Sequence, residues 1–197
     1  VSVPEAASLR EGYDLRQDSP GFWTFRVNVS AERIPEAFRR LVARIPGPGS
    51  FALEIPTDSG TEAQLRTQPT DPFHCDVWYL DWLRPSDMLA LFAEYEPLLL
   101  HDGFLRFGFG GQKAYDEVFV SAYKLFMLYA TKPEPVAAAL ADLGFPRVPD
   151  LRTAATTFTP ERPGVRLALT DLRPSLDDML SSLRARGLYF AEHRADY

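Results

Sequence analysis

The 197-residue chain carries 21 Lys and Arg against 27 Asp and Glu, a formal net charge of −6 at pH 7. That sign works against the basic footprint a phosphate backbone requires, so no nucleic-acid partner is expected. Hydrophobic residues at 46% and aromatics at 13% exclude a disordered tail and supply enough core for a single domain over residues 1–197.

No apolar run approaches the ~18 residues needed to cross a bilayer, so a soluble protein with no membrane partner is expected. Residues 1–12 lack a charged start followed by an apolar block. The chain does not begin with Met, which leaves room for a leader removed ahead of Val1. Cys75 is the single cysteine, so no internal disulfide forms and the cytoplasm is the expected compartment. Only Lys113, Lys124 and Lys132 among the basic residues are lysine, a bias typical of a GC-rich bacterial genome.

In chain order, residues 1–21 mix charges with Pro4, Pro20 and Gly21 and read as an irregular arm. Residues 22–29, FWTFRVNV, alternate as a strand, and Ser30 stands where a helix N-cap belongs. Ile34, Phe38, Leu41, Val42 and Ile45 form an apolar stripe at helical period, which Pro46-Gly47-Pro48-Gly49 stops. Residues 51–55 are a second strand, and 56–72 a polar loop long enough to serve as a lid or contact loop.

Residues 76–82, DVWYLDW, form a third strand with Trp78, Leu80 and Trp82 on one face and Val77, Tyr79 and Asp81 on the other. Leu83-Arg84-Pro85-Ser86 opens a helix with Met88, Leu89, Phe92 and Tyr95 buried, and Pro97 is expected to end or kink it. Residues 104–130, FLRFGFGGQKAYDEVFVSAYKLFMLYA, are the densest run of strand formers. Gly110 and Gly111 turn a hairpin, and the return arm begins at Glu117. Ser121-Ala122-Tyr123-Lys124 is compatible with a tight turn or with a bulge in one long strand.

Thr131 and Glu134 have capping-box spacing ahead of a helix whose stripe is Val136, Ala139, Leu140 and Leu143. A loop with a short strand near 154–158, a strand at 165–169, a last helix stopped by Gly187 and a strand from Leu188 complete the reading. Leu172-Arg173-Pro174-Ser175 echoes the phrase at Leu83, which is compatible with two similar βαβ-containing halves, 22–109 and 117–191, or with two independent solutions to one helix start. The expected fold is α+β: a mainly antiparallel sheet of about six to eight strands with about four helices on one face.

No catalytic signature is present. Gly108-Phe109-Gly110-Gly111 fails the nucleotide-binding patterns because a second strand, not a helix, follows it. His74 and Asp76 place two metal-ligand types on one strand face, and His101 is the third residue of a metal alternative, but no zinc spacing supports it. Cys75 lacks a correctly placed histidine neighbour and reads as a small buried or edge thiol. No cofactor is called for.

The surviving expectation is a non-catalytic protein-binding or regulatory module of bacterial type, inhibitor-like or immunity-like. Its partner is another protein with a basic surface, met by an acidic and aromatic patch of Tyr79, Asp81, Asp116, Glu117, Tyr123 and Lys124. The alternatives are a hydrolase with a carboxylate and histidine site, and a small-ligand-binding module.

Overall fold

In the computed structural model, which describes residues 3–113 and 115–196, period-2 alternation decides which side chains meet. The strands are β1 (Gly12–Ser19), β2 (Phe22–Asn28), β3 (Gly49–Pro56), β4 (Phe73–Leu83), β5 (Arg106–Gly111), β6 (Glu117–Val120), β7 (Phe126–Ala130) and β8 (Tyr189–Asp196). They form one eight-stranded sheet in the order β1-β2-β7-β6-β5-β3-β4-β8. Every neighbouring pair is antiparallel.

Phe25 and Val27, Phe51 and Leu53, Phe107 and Phe109, Val118 and Val120, and Phe126 and Leu128 all turn to one face and are buried. That face is closed by α1 (Ile34–Val42), α3 (Pro85–His101), α4 (Pro133–Asp142) and α5 (Leu176–Ala185), whose Phe38, Phe92, Leu140 and Met179 join the same core. Phe38 is the hinge of this packing, with ring centroids 4.6 Å from Phe92 and 5.2 Å from Phe107. The fold is therefore α+β, as the two periodicities predict. Residues 22–109 and 117–191 share this one sheet and one core.

Several local expectations are corrected. The arm at 1–21 contains β1, paired with β2 through a reversal at Pro20-Gly21, where Gly21 has φ 81°. The loop at 56–72 contains α2 (Ser59–Leu65), capped by Asp58, whose Oδ1 accepts from the Gly60 and Thr61 amides at 2.9 and 3.1 Å. Pro97 lies inside α3, which continues to His101 with Leu98 and Leu99 buried on its far side. The helix predicted after the capping box starts at Pro133 with Lys132 at the N-cap, one residue later than the Thr131–Glu134 spacing implies.

Residues 154–158 form a 3-10 turn, Ala154–Thr157, in place of a strand. Residues 165–169 form no strand among the described residues, with only a bridge position at Val165. They lie against the start of the central hairpin, with Gly103 N–H donating to Leu167 O and Leu169 N–H to Asp102 Oδ2, both at 2.8 Å. Ala122–Lys124 turns as a 3-10 element with Ser121 as its N-cap and with Tyr123 and Lys124 at φ 56° and 61°. The repeated Leu-Arg-Pro-Ser phrase is out of step: Arg84 is the N-cap of α3, whereas Ser175 is the N-cap of α5. What the two starts share is an Asp at N3, Asp87 and Asp178, accepting from the N-cap amide at 3.2 and 2.9 Å.

Candidate binding face

The helices cover one side of the sheet, and the alternate residues of every strand build the other. The ladder fixes their neighbours: Glu54 pairs with Arg106, Ala52 with Gly108, Gly108 with Phe119 and Glu117 with Tyr129. On the outer strands Asp14 pairs with Arg26 and Cys75 with Arg194. The open face is thus polar at its rims and has small residues, Ala52, Gly108 and Gly110, near its middle.

Phe119 lies across Gly108. A Cβ on Gly108 would stand 2.6 Å from the Phe119 ring and 2.7 Å from Val118 O, whereas one on Gly110 would meet nothing closer than 3.7 Å. Glycine at 108 lets the ring lie flat on the sheet.

The rim charges are organised by Glu54, which is buried. Its Oε1 accepts from Arg194 Nη1 at 2.7 Å and its Oε2 from Arg106 Nη1 at 3.5 Å. Arg106 also donates to Asp196. Burial opposes the charge on Arg194, but bonds to Glu192 and Tyr79 and the charge of Glu54 outweigh it and hold the guanidinium above its ordinary value. At the other rim Arg26 is paired in the same way with Asp14, Nε donating to Oδ1 at 3.0 Å.

Glu117 differs from these carboxylates. It is half-buried, and its carboxylate has no hydrogen-bond or ion-pair partner among the described residues. Burial pushes its carboxyl above the usual range, and the charge of Glu54 adds to the effect. Its cross-strand neighbour Tyr129, also raised by burial and by Glu117, keeps 37% of its surface exposed. A desolvated anion beside an accessible phenol is an unsatisfied acceptor, able to take a cation or N–H donors from outside.

The six residues singled out in the sequence separate into two groups. Tyr79, Asp81 and Glu117 lie on the open face, where Asp81 accepts from Ser50 Oγ at 2.6 Å and from Tyr189 Oη at 2.9 Å. Asp116 sits at the hairpin mouth, accepting from the Thr131 amide at 3.2 Å. Tyr123 packs on Phe158, centroids 4.7 Å apart, away from the middle of the face. Lys124 is buried, its Nζ donating to Leu99 O at 2.7 Å and Leu105 O at 3.1 Å, so it fastens the turn beneath the core. Trp82 does not share a face with Trp78 and Leu80. A bulge at Gly49/Phe51 turns it out at φ 64°, 73% exposed.

His74 pairs with Glu62 of α2 at 3.1 Å and His193 with Asp76 at 2.9 Å. Among the described residues no group of three or more His, Cys, Asp or Glu is placed to hold a metal ion, and His101 stands apart at the end of α3. Burial, then the charge of Glu54, pushes the Cys75 thiol up to about 11, which keeps it protonated. Glu54, Arg106 and Arg194 escape a reading by motif. The one local signal was the alternation of charges in Glu192, Arg194 and Asp196.

No family model, curated protein or solved structure matches this chain. No helix among the described residues is long and apolar enough to cross a membrane.

Proposed function

We propose that this protein is a non-catalytic binding module of a bacterial cytoplasm, inhibitor-like or immunity-like, which docks a basic segment of a partner protein on the open face of its sheet. The observation that carries this reading is Glu117, a half-buried carboxylate without a partner among the described residues, beside the accessible ring of Tyr129. A Lys or Arg brought to Glu117 gains a charge-assisted bond in a site that has already lost much of its water. Tyr129, Phe119 and Tyr79 supply the flat aromatic surface that protein interfaces favour. The net charge of −6 adds long-range attraction for a basic partner.

The test is quantitative capture from the native lysate by the wild-type protein, by Glu117→Lys and by Tyr129→Ala, read by mass spectrometry. The reading requires a stoichiometric, salt-sensitive partner that both variants lose by tenfold or more while remaining folded; about tenfold corresponds to one lost charge-assisted bond. Capture of the same partner at equal yield by wild type and variants overturns it.

A further inference from the structure

At one end of the open face, Arg166 borders two adjoining cavities, the second of which also meets Ala154 and Ala155. One, of about 470 Å³, is bordered by Glu54, Cys75 and Phe104. The other, of about 340 Å³, is bordered by Ser121, Tyr123, Leu125 and Ala154. Arg106, Arg166 and Asp196 line both.

The two guanidiniums at this junction are in different states. Arg106 is committed to Glu54 and Asp196. Arg166 has no carboxylate within ion-pairing distance and no hydrogen-bond acceptor among the described residues. It is half-buried against two rings, its guanidinium carbon 5.0 Å from the Phe104 centroid and 5.8 Å from that of Tyr123. Stacking of this kind satisfies the faces of the guanidinium and leaves the N–H edge unspent.

Two further polar groups share the smaller cavity. Ser121 and Tyr123 have side-chain hydroxyls with no protein partner among the described residues. Tyr123 is held at φ 56°, a conformation that costs energy for a residue with a bulky side chain and persists only where packing enforces it. Here the packing is the ring of Phe158, 4.7 Å away, and the backbone of Gly164, where a Cβ would stand 2.6 Å from the Tyr123 hydroxyl.

We infer that this cavity pair is a binding site for a small organic carboxylic acid with an apolar body, whose carboxylate is received by the N–H edge of Arg166 and the hydroxyls of Ser121 and Tyr123. A planar carboxylate matches the fork of one guanidinium. Glu54 and Asp196 already hold Arg106, which leaves Arg166 as the one unpaired guanidinium of the two cavities among the described residues and favours a monoanion over a doubly charged phosphate. Leu125, Ala122 and Ala154 offer the apolar surface for the rest of the molecule. The site is independent of the partner surface at Glu117.

The experiment is calorimetric titration of the whole protein with 3-phenylpropionate and, separately, with 3-phenylpropionamide, which has the same shape and no charge. The acid is expected to bind at millimolar concentration or better, and the amide at least about tenfold more weakly. Arg166→Gln is expected to abolish the preference for the acid, and Tyr123→Phe, which keeps the ring in place, to weaken the acid severalfold. No binding of the acid, equal binding of acid and amide, or unaltered binding of the acid by a folded Arg166→Gln overturns the inference.

Discussion

Arg194 of β8 reaches across the whole width of β4 to hold Glu54 of β3, 140 residues away in the chain, through an N–H···O bond of 2.7 Å. The bond joins the edge of the sheet to its interior and neutralises a buried carboxylate. Discounted for the 45% exposure of the guanidinium, Arg194→Ala should lower the unfolding free energy by about 1 to 2 kcal/mol. In urea titrations the double variant with Glu54→Ala should lose less than the sum of the two single changes, because both remove the same bond.

The three-residue spacing from Gly108 to Gly111 conceals two unequal glycines. Gly108→Ala forces a methyl group against backbone at Val118 and the ring of Phe119, and should cost about 1 to 3 kcal/mol. Gly110→Ala meets only ordinary contacts and should be neutral to within about 0.5 kcal/mol. Equal midpoints for the two variants would show that Phe119 does not lie on the glycine.

Trp78 and Trp82, four residues apart on one strand, should respond in opposite ways. Trp78 packs edge-on to Phe190, 5.4 Å between centroids, and under Arg184, so Trp78→Ala should cost about 3 kcal/mol or more. Its buried Nε1 has no hydrogen-bond partner among the described residues, so Trp78→Phe should cost much less. Trp82→Gly should leave stability unchanged within about 1 kcal/mol, since relief of the left-handed backbone offsets the added chain entropy. Thermal unfolding monitored by circular dichroism distinguishes the three.

Lys124 makes a signed prediction for alkaline pH. Burial lowers its pKa from 10.5 to about 8 in the folded chain. Between those values the unfolded chain holds a proton that the folded chain has released, so this group's contribution to stability rises as pH increases through the window. A neutral amine still has two N–H bonds for the carbonyls of Leu99 and Leu105. Lys124→Met should remove that rise, and a wild-type minus Lys124→Met difference in urea midpoint that stays flat over the same window contradicts the assignment.

Glu117 carries the opposite sign. Its folded pKa lies above the ordinary carboxylate value of 4.5, so the folded chain holds the proton longer and loses stability as pH rises through the interval between the two. Glu117→Gln should therefore be more stable than wild type at neutral pH and equal to it in acid below the carboxylate range. The same variant should bind a basic partner more weakly, which separates a residue kept for function from one kept for stability.

Alternation and helical stripes, which depend on neighbours two to four residues away, were enough to place the antiparallel sheet, the central hairpin around Gly110 and the helices carrying Phe38, Phe92, Leu140 and Leu183. They failed where a polar face diluted the pattern, as in β1, or where a short capped helix interrupted a polar stretch, as at Asp58. Of the candidate site, Tyr79, Asp81 and Glu117 were legible because each sits on the polar side of a strand. That Glu54, Arg106 and Arg194 meet, that Glu117 is left without a partner among the described residues, and that Arg166 stands between two cavities depend on strand order and register. Those are chosen by burying the aromatic face of the whole sheet at once, a global condition with no local trace in the chain.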